Sequence, residues 1–113
     1  MRKSDKKLDN DIRKRLGVLC EEEFESIDGF QWLTHTVNYS NFPTSLNIIC
    51  VFETDDNVRQ FLASTDKNKA ISTVESALFK LNIKLKTPSK HFRFDSEEAC
   101  NRENKGNWAM RLA

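Results

Sequence analysis

Apolar positions along the chain follow two periods, and the change from one to the other marks out the elements. From Ser4 to about Ser26, Leu8, Ile12, Leu16, Leu19, Cys20, Phe24 and Ile27 recur at three- and four-residue steps with charged residues between them. That spacing predicts an amphipathic helix, capped by Ser4 and stopped at Asp28-Gly29. Phe30 to Glu53 then switches to an extended pattern. The run Leu46 to Phe52 holds Ile48, Ile49, Cys50 and Val51 without a break, which predicts a strand with both faces covered. In the run before it, Gln31, Leu33, His35, Val37 and Tyr39 share one predicted face, and Phe30, Trp32, Thr34 and Thr36 the other. The polar link Ser40 to Ser45 makes the two runs an antiparallel pair.

The second half returns to helical spacing. Thr54-Asp55-Asp56 suits a helix cap, and Val58, Phe61 and Leu62 give about two turns, broken at Ser64 to Asn68. Ala70, Ile71, Val74, Ala77, Leu78 and Leu81 predict a longer helix ending near Asn82. Ile83 to Phe94 alternates again, interrupted by Thr87-Pro88-Ser89, as a broken strand or small hairpin. Asp95-Ser96-Glu97-Glu98 resembles a capping box for a last short helix, stopped by Lys105-Gly106-Asn107. The expected fold is α+β, in the order α-β-β-α-α-β plus a short C-terminal helix. It has an antiparallel sheet of three to four strands with helices packed on one face.

The 113 residues suit one domain, residues 1–113, and a single core. Eighteen basic residues against seventeen acidic ones give a net charge of +1, without the basic excess of a dedicated nucleic-acid binder. No segment has the length of a signal-peptide core or a membrane span, so the expected location is the cytoplasm, with no membrane partner. Cys20, Cys50 and Cys100 are odd in number and widely spaced, and are read as reduced thiols. In the first helix Arg13-Lys14-Arg15 precedes Glu21-Glu22-Glu23, an order opposed to the helix dipole at a cost of about a few tenths of a kcal/mol per charge.

Candidate chemistry is sparse. His35 and His91 have no further ligand at metal spacing, so no metal site or cofactor is expected. The acidic pairs Asp55-Asp56 and Glu97-Glu98 fall where helix starts favour negative charge, so capping accounts for them without acid–base work. No catalytic residue is assigned. The most suggestive feature is the series Lys84, Lys86, Lys90 and Arg93, interleaved with Leu85, Phe92 and Phe94. With the apolar members inward, the cations line one outer face that tracks a phosphate backbone, and Lys67 and Lys69 add to it if the fold brings them near. The bland alternative is a solvated strand face whose lysines discourage edge pairing.

Two resemblances bear on these residues. The element order is similar to a type II KH-like module, in which a Gly-x-x-Gly turn between the middle helices clamps RNA. The corresponding turn here, Ser64-Thr65-Asp66-Lys67-Asn68-Lys69, holds no glycine. The blocks Met1 to Lys7, Gly29 to His35, Phe94 to Glu98 and Gly106-Asn107-Trp108 look like a family of small, uncharacterised gammaproteobacterial proteins. Members of that family are sometimes labelled Fis-type regulators. The Fis fold is all-helical with a recognition helix, which the strand pattern around Lys84 to Phe94 does not match. The resulting expectation is a cytosolic, non-catalytic binding module that contacts RNA or a ribosomal particle through Lys84 to Arg93. The alternative is a protein-interaction adaptor or homodimer that uses the Phe30 to Asn38 strand with Trp32 or Tyr39 as anchor.

Overall fold

A computed structural model describes residues 2–113. Helix α1 spans Lys3–Glu22, strand β1 Phe30–Thr36, strand β2 Asn47–Phe52, helix α2 Asp55–Ala63 and helix α3 Asp66–Phe79. Strand β3, Phe92–Ser96, follows a short 3-10 turn at Pro88–His91, and helices α4, Glu97–Asn104, and α5, Trp108–Arg111, close the chain. The α+β class and the element order are as the periodicity predicts.

Local chemistry sets most boundaries. Thr54 caps α2 by accepting from the Asn57 amide, while the Asn57 side chain accepts from Thr54 N–H. The cap of α4 is Ser96, one residue later than the Asp95 reading, and its hydroxyl accepts from Ala99 N–H. Lys105 and Gly106 both adopt positive φ to end α4, and Asn107 caps α5. Helix α1 starts one residue before the expected cap Ser4, with Arg2 at the cap position and no side-chain bond there. It ends at Glu22, short of Ser26, and the stretch beyond it turns until Gly29.

Among the described residues the sheet order is β1-β2-β3, three strands. β1 and β2 are antiparallel, with Leu33 opposite Cys50 and His35 opposite Ile48. β3 runs parallel to β2, with Phe92 level with Ile48 and Asp95 with Val51, so the sheet is mixed and the all-antiparallel expectation is corrected. The reason is the length of the connection. Parallel neighbours need a crossover of about a dozen residues or more, and α2 and α3 supply it.

A second correction concerns cover. Ile48, Cys50 and Phe52 join Ile12, Leu16, Phe61, Val74 and Leu78 in the main core beneath α1, α2 and α3. Ile49 and Val51 alternate to the other face and are equally buried, and there the C-terminal helices lie over the sheet. Trp108 of α5 meets Trp32 of β1 edge-to-face at 4.9 Å, and both indole N–H groups donate to Glu97. Helices therefore pack on both faces. A strand buried on both sides requires this.

An irregularity at Gln31 shifts the register between Phe30 and Trp32. Phe30 thereby turns onto the main core, edge-to-face with Phe24 and Phe52, while Trp32 stays on the opposite side. Strict alternation had put Phe30 and Trp32 on one face. The extra residue of a bulge separates them.

Candidate nucleic-acid interface

Helix α3 ends in a Schellman turn. Asn82 takes φ 64°, Ile83 N–H donates to the Leu78 carbonyl and Asn82 N–H to the Phe79 carbonyl. The chain leaves this turn outside the sheet and bends at Lys86 and Thr87. Ile83 and Leu85 are buried in the main core, which turns Lys84 and Lys86 to solvent. The 3-10 turn that follows is pinned by His91, whose Nδ1–H donates to the Leu46 carbonyl at 2.7 Å, and it presents Lys90. The alternation predicted for this stretch holds, and burial of Ile83 and Leu85 enforces it without a strand ladder.

Residues 76–94 carry five basic side chains, Lys80, Lys84, Lys86, Lys90 and Arg93, and no acidic one. The remainder of the chain holds thirteen basic and seventeen acidic residues, a net charge of −4. The near-neutral total therefore conceals a separation of charge. Among the described residues no ion pair involves a lysine. Lys84 instead places its ammonium 5.9 Å from the ring centroid of Phe79. Phe79 is 59% exposed.

Two groups of predicted cations fall elsewhere. Arg93 is level with Ile49 on β2 and so lies on the opposite face of the sheet from Phe92 and Phe94, 3.4 Å from Asp95. Lys67 and Lys69 belong to the first turn of α3 rather than to a loop, about 15–20 Å along the helix from its C-terminal end. Lys69 faces a 460 Å³ cleft shared with Glu23, Asp28 and Asp66. The loop between α2 and α3 shrinks to Ser64-Thr65, and the Ser64 hydroxyl is held by the Phe61 carbonyl and the Asp66 amide.

Folding also adds cations that the linear series leaves out. Lys14 and Arg15 of α1 line a 310 Å³ groove with Val18 and with Leu81, which lies inside the basic segment; Asp11 is its one acidic lining residue. Their neighbour Arg13 turns the other way, to Asp9 at 3.0 Å. Phe79 was visible in sequence as an aromatic off the apolar stripe of its helix. The approach of Lys14 and Arg15 had no local signal beyond the oddly placed cationic triplet.

The C-terminal ends of the parallel strands β2 and β3, where the N-termini of α2 and α4 meet, are a common place for a bound anion. Here the protein's own carboxylates fill it. Asp55 accepts from Ser96 Oγ at 2.6 Å and from Arg102 at 2.9 Å, and Glu98 accepts from Asp55 N–H at 3.0 Å. The hydrogen bonds from Ser96 and Arg102 hold the Asp55 carboxyl below its ordinary range.

Trp32 and Tyr39, read as interaction anchors, are engaged within the fold. Trp32 is held by Trp108 and Glu97. Tyr39 stacks on Phe42 and donates to Asp9 Oδ1 at 2.8 Å, the oxygen that also bonds His35 Nε2 at 2.8 Å. His35 thus lies beside a carboxylate, but its ring is 5% exposed and neither groove above is lined by it. Burial and the Asp9 bond push the Tyr39 phenol well above its ordinary value. Burial also pushes the Cys50 thiol up to about 12. Cys100 is raised by burial as well, and all three cysteines are free.

Among the described residues no group of three or more His, Cys, Asp or Glu is placed to hold a metal, and no helix is long and apolar enough to cross a membrane. Comparison of the chain with models of protein families, with curated proteins and with solved structures finds no match.

Proposed function

We propose that the protein is a non-catalytic, cytoplasmic binding module that contacts RNA, free or in a ribosomal particle, through the surface of Lys80, Lys84, Lys86 and Lys90. One observation carries this reading: a nineteen-residue stretch with five cations and no anion, whose lysines are solvent-facing and unpaired among the described residues. Such a surface attracts a phosphate backbone by counterion release, which needs neither a pocket nor a catalytic group. A Gly-x-x-Gly clamp is no part of the reading, since Ser64-Thr65 offers none. Titration of a labelled RNA at low ionic strength tests it. Binding that weakens steeply with salt and with Lys84, Lys86 and Lys90 replaced by Ala supports it, and absence of binding overturns it.

The second reading, docking of a protein or of a second copy, rests on β1 being an outer strand of the sheet. Sedimentation across a concentration series separates the two.

A further inference from the structure

The RNA reading leaves open how a strand would lie, and two features outside the lysine series, with the placement of two of its members, bear on that. The groove between α1 and the end of α3 has Val18 and Leu81 as apolar lining, with Lys14 and Arg15 beside them. Phe79 lies two residues before Leu81 and is an exposed aromatic next to Lys84. Lys84 and Lys86 are both exposed, on either side of the buried Leu85. Cations thus stand beside each apolar feature, Lys14 and Arg15 with Asp11 at Val18 and Leu81, and Lys84 at Phe79.

Resting on the RNA reading, we infer that the ligand is single-stranded, laid across this groove with a base against Phe79 and phosphates on Lys84 and Lys86 on one side and on Lys14 and Arg15 on the other. An exposed aromatic flanked by cations suits unpaired bases, because every base offers a stacking face only when it is out of a duplex. A duplex would meet the lysines through its phosphates and leave Phe79, Val18 and Leu81 without a partner. The inference also gives the triplet Arg13-Lys14-Arg15, which the helix dipole disfavours, a use: Arg13 binds Asp9, while Lys14 and Arg15 face the groove.

The test measures fluorescence anisotropy of the full chain with a twelve-nucleotide oligouridylate and with a twelve-base-pair RNA duplex, at one low salt concentration. The expected result is tighter binding of the single strand. Phe79→Ala lowers single-strand affinity about tenfold and leaves duplex affinity unchanged, while Phe79→Tyr retains it. Lys14→Ala/Arg15→Ala weakens the single strand about as much as Lys84→Ala/Lys86→Ala does. All five side chains lie on the surface or at its margin, and circular dichroism checks the folding of each variant. Equal binding of both RNAs, or indifference of the single strand to Phe79→Ala, overturns this inference while the RNA reading stands. No binding of either RNA overturns both.

Discussion

Arg111 grips Asp95 bidentately, Nε 2.6 Å from Oδ2 and Nη2 3.0 Å from Oδ1, across the face of the sheet that the main core leaves open. Its remaining donor reaches Glu103, Asn104 and the Ala99 carbonyl, so one side chain ties α5 to both β3 and α4. The two side chains are 12% and 8% exposed. Arg111→Met leaves a carboxylate in a mostly dry site with only Arg93 near it, and is expected to cost about 3 kcal/mol in urea denaturation. Adding Asp95→Asn removes the stranded charge and should restore more than half of that loss.

The same contact sets the acid response. Burial raises the Asp95 carboxyl, but the Arg111 hydrogen bonds and the Ser96 N–H outweigh it and hold the group below its ordinary range. Asp9 behaves alike, with burial opposed and outweighed by bonds from His35 and Tyr39. A carboxyl depressed in the folded state contributes its full stability above its unfolded value of about 3.9 and loses it as the pH falls through the lower, folded value. Urea midpoints should therefore drop below pH about 4, and Asp95→Asn should flatten that drop.

Tyr39 is the only tyrosine, so its titration can be followed by ultraviolet absorbance. Burial and the Asp9 bond raise its folded value. The neutral phenol then contributes stability that is complete below about pH 10 and decays as the pH climbs through the folded value. The phenolate band should appear well above pH 10 in the native protein. Asp9→Asn should bring it part of the way down, since burial remains.

Gly29 takes φ 76°, and a Cβ there would meet the side chain of Asn57, which closes the cap of α2. Both the left-handed conformation and the close approach call for glycine. Gly29→Ala should destabilise by about 2 kcal/mol, and Gly106→Ala by less, because only the tip of Asn101 stands in its way.

For the proposed interface, salt dependence is the sharpest measure. Each phosphate contact of a single strand contributes about −0.7 to the slope of log affinity against log salt, so replacing Lys84, Lys86 and Lys90 by Ala should make the slope about 2 less steep. Lys67→Ala/Lys69→Ala should leave it unchanged, since those residues sit at the far end of α3.

Where side chains act on their own neighbours, the chain could be read directly. The uninterrupted Ile48 to Val51 run is a central strand, the α3 stripe is a helix, and Thr54 and Lys105-Gly106 cap or stop helices through bonds of a few residues' reach. The cationic segment was also legible, because burial of Ile83 and Leu85 fixes where Lys84 and Lys86 point whether or not the stretch pairs as a strand. Arg93 also alternates outward from Phe92 and Phe94. Its side of β3 is the one that carries Asp95 and Arg111, a second face that the sequence did not show, and Arg93 stays exposed there, 3.4 Å from Asp95.

The sequence by itself determined the class of fold, the elements and their order, and a local concentration of positive charge, because periodicity and capping record which side of each element avoids water. Only the tertiary structure decided that β3 runs parallel to β2, that Trp108 and Arg111 close the second face of the sheet, and that Lys14 and Arg15 come to Leu81. These depend on the path of the crossover and on pairings between residues far apart in the chain. An apolar stripe states that a face must be covered, but not by what.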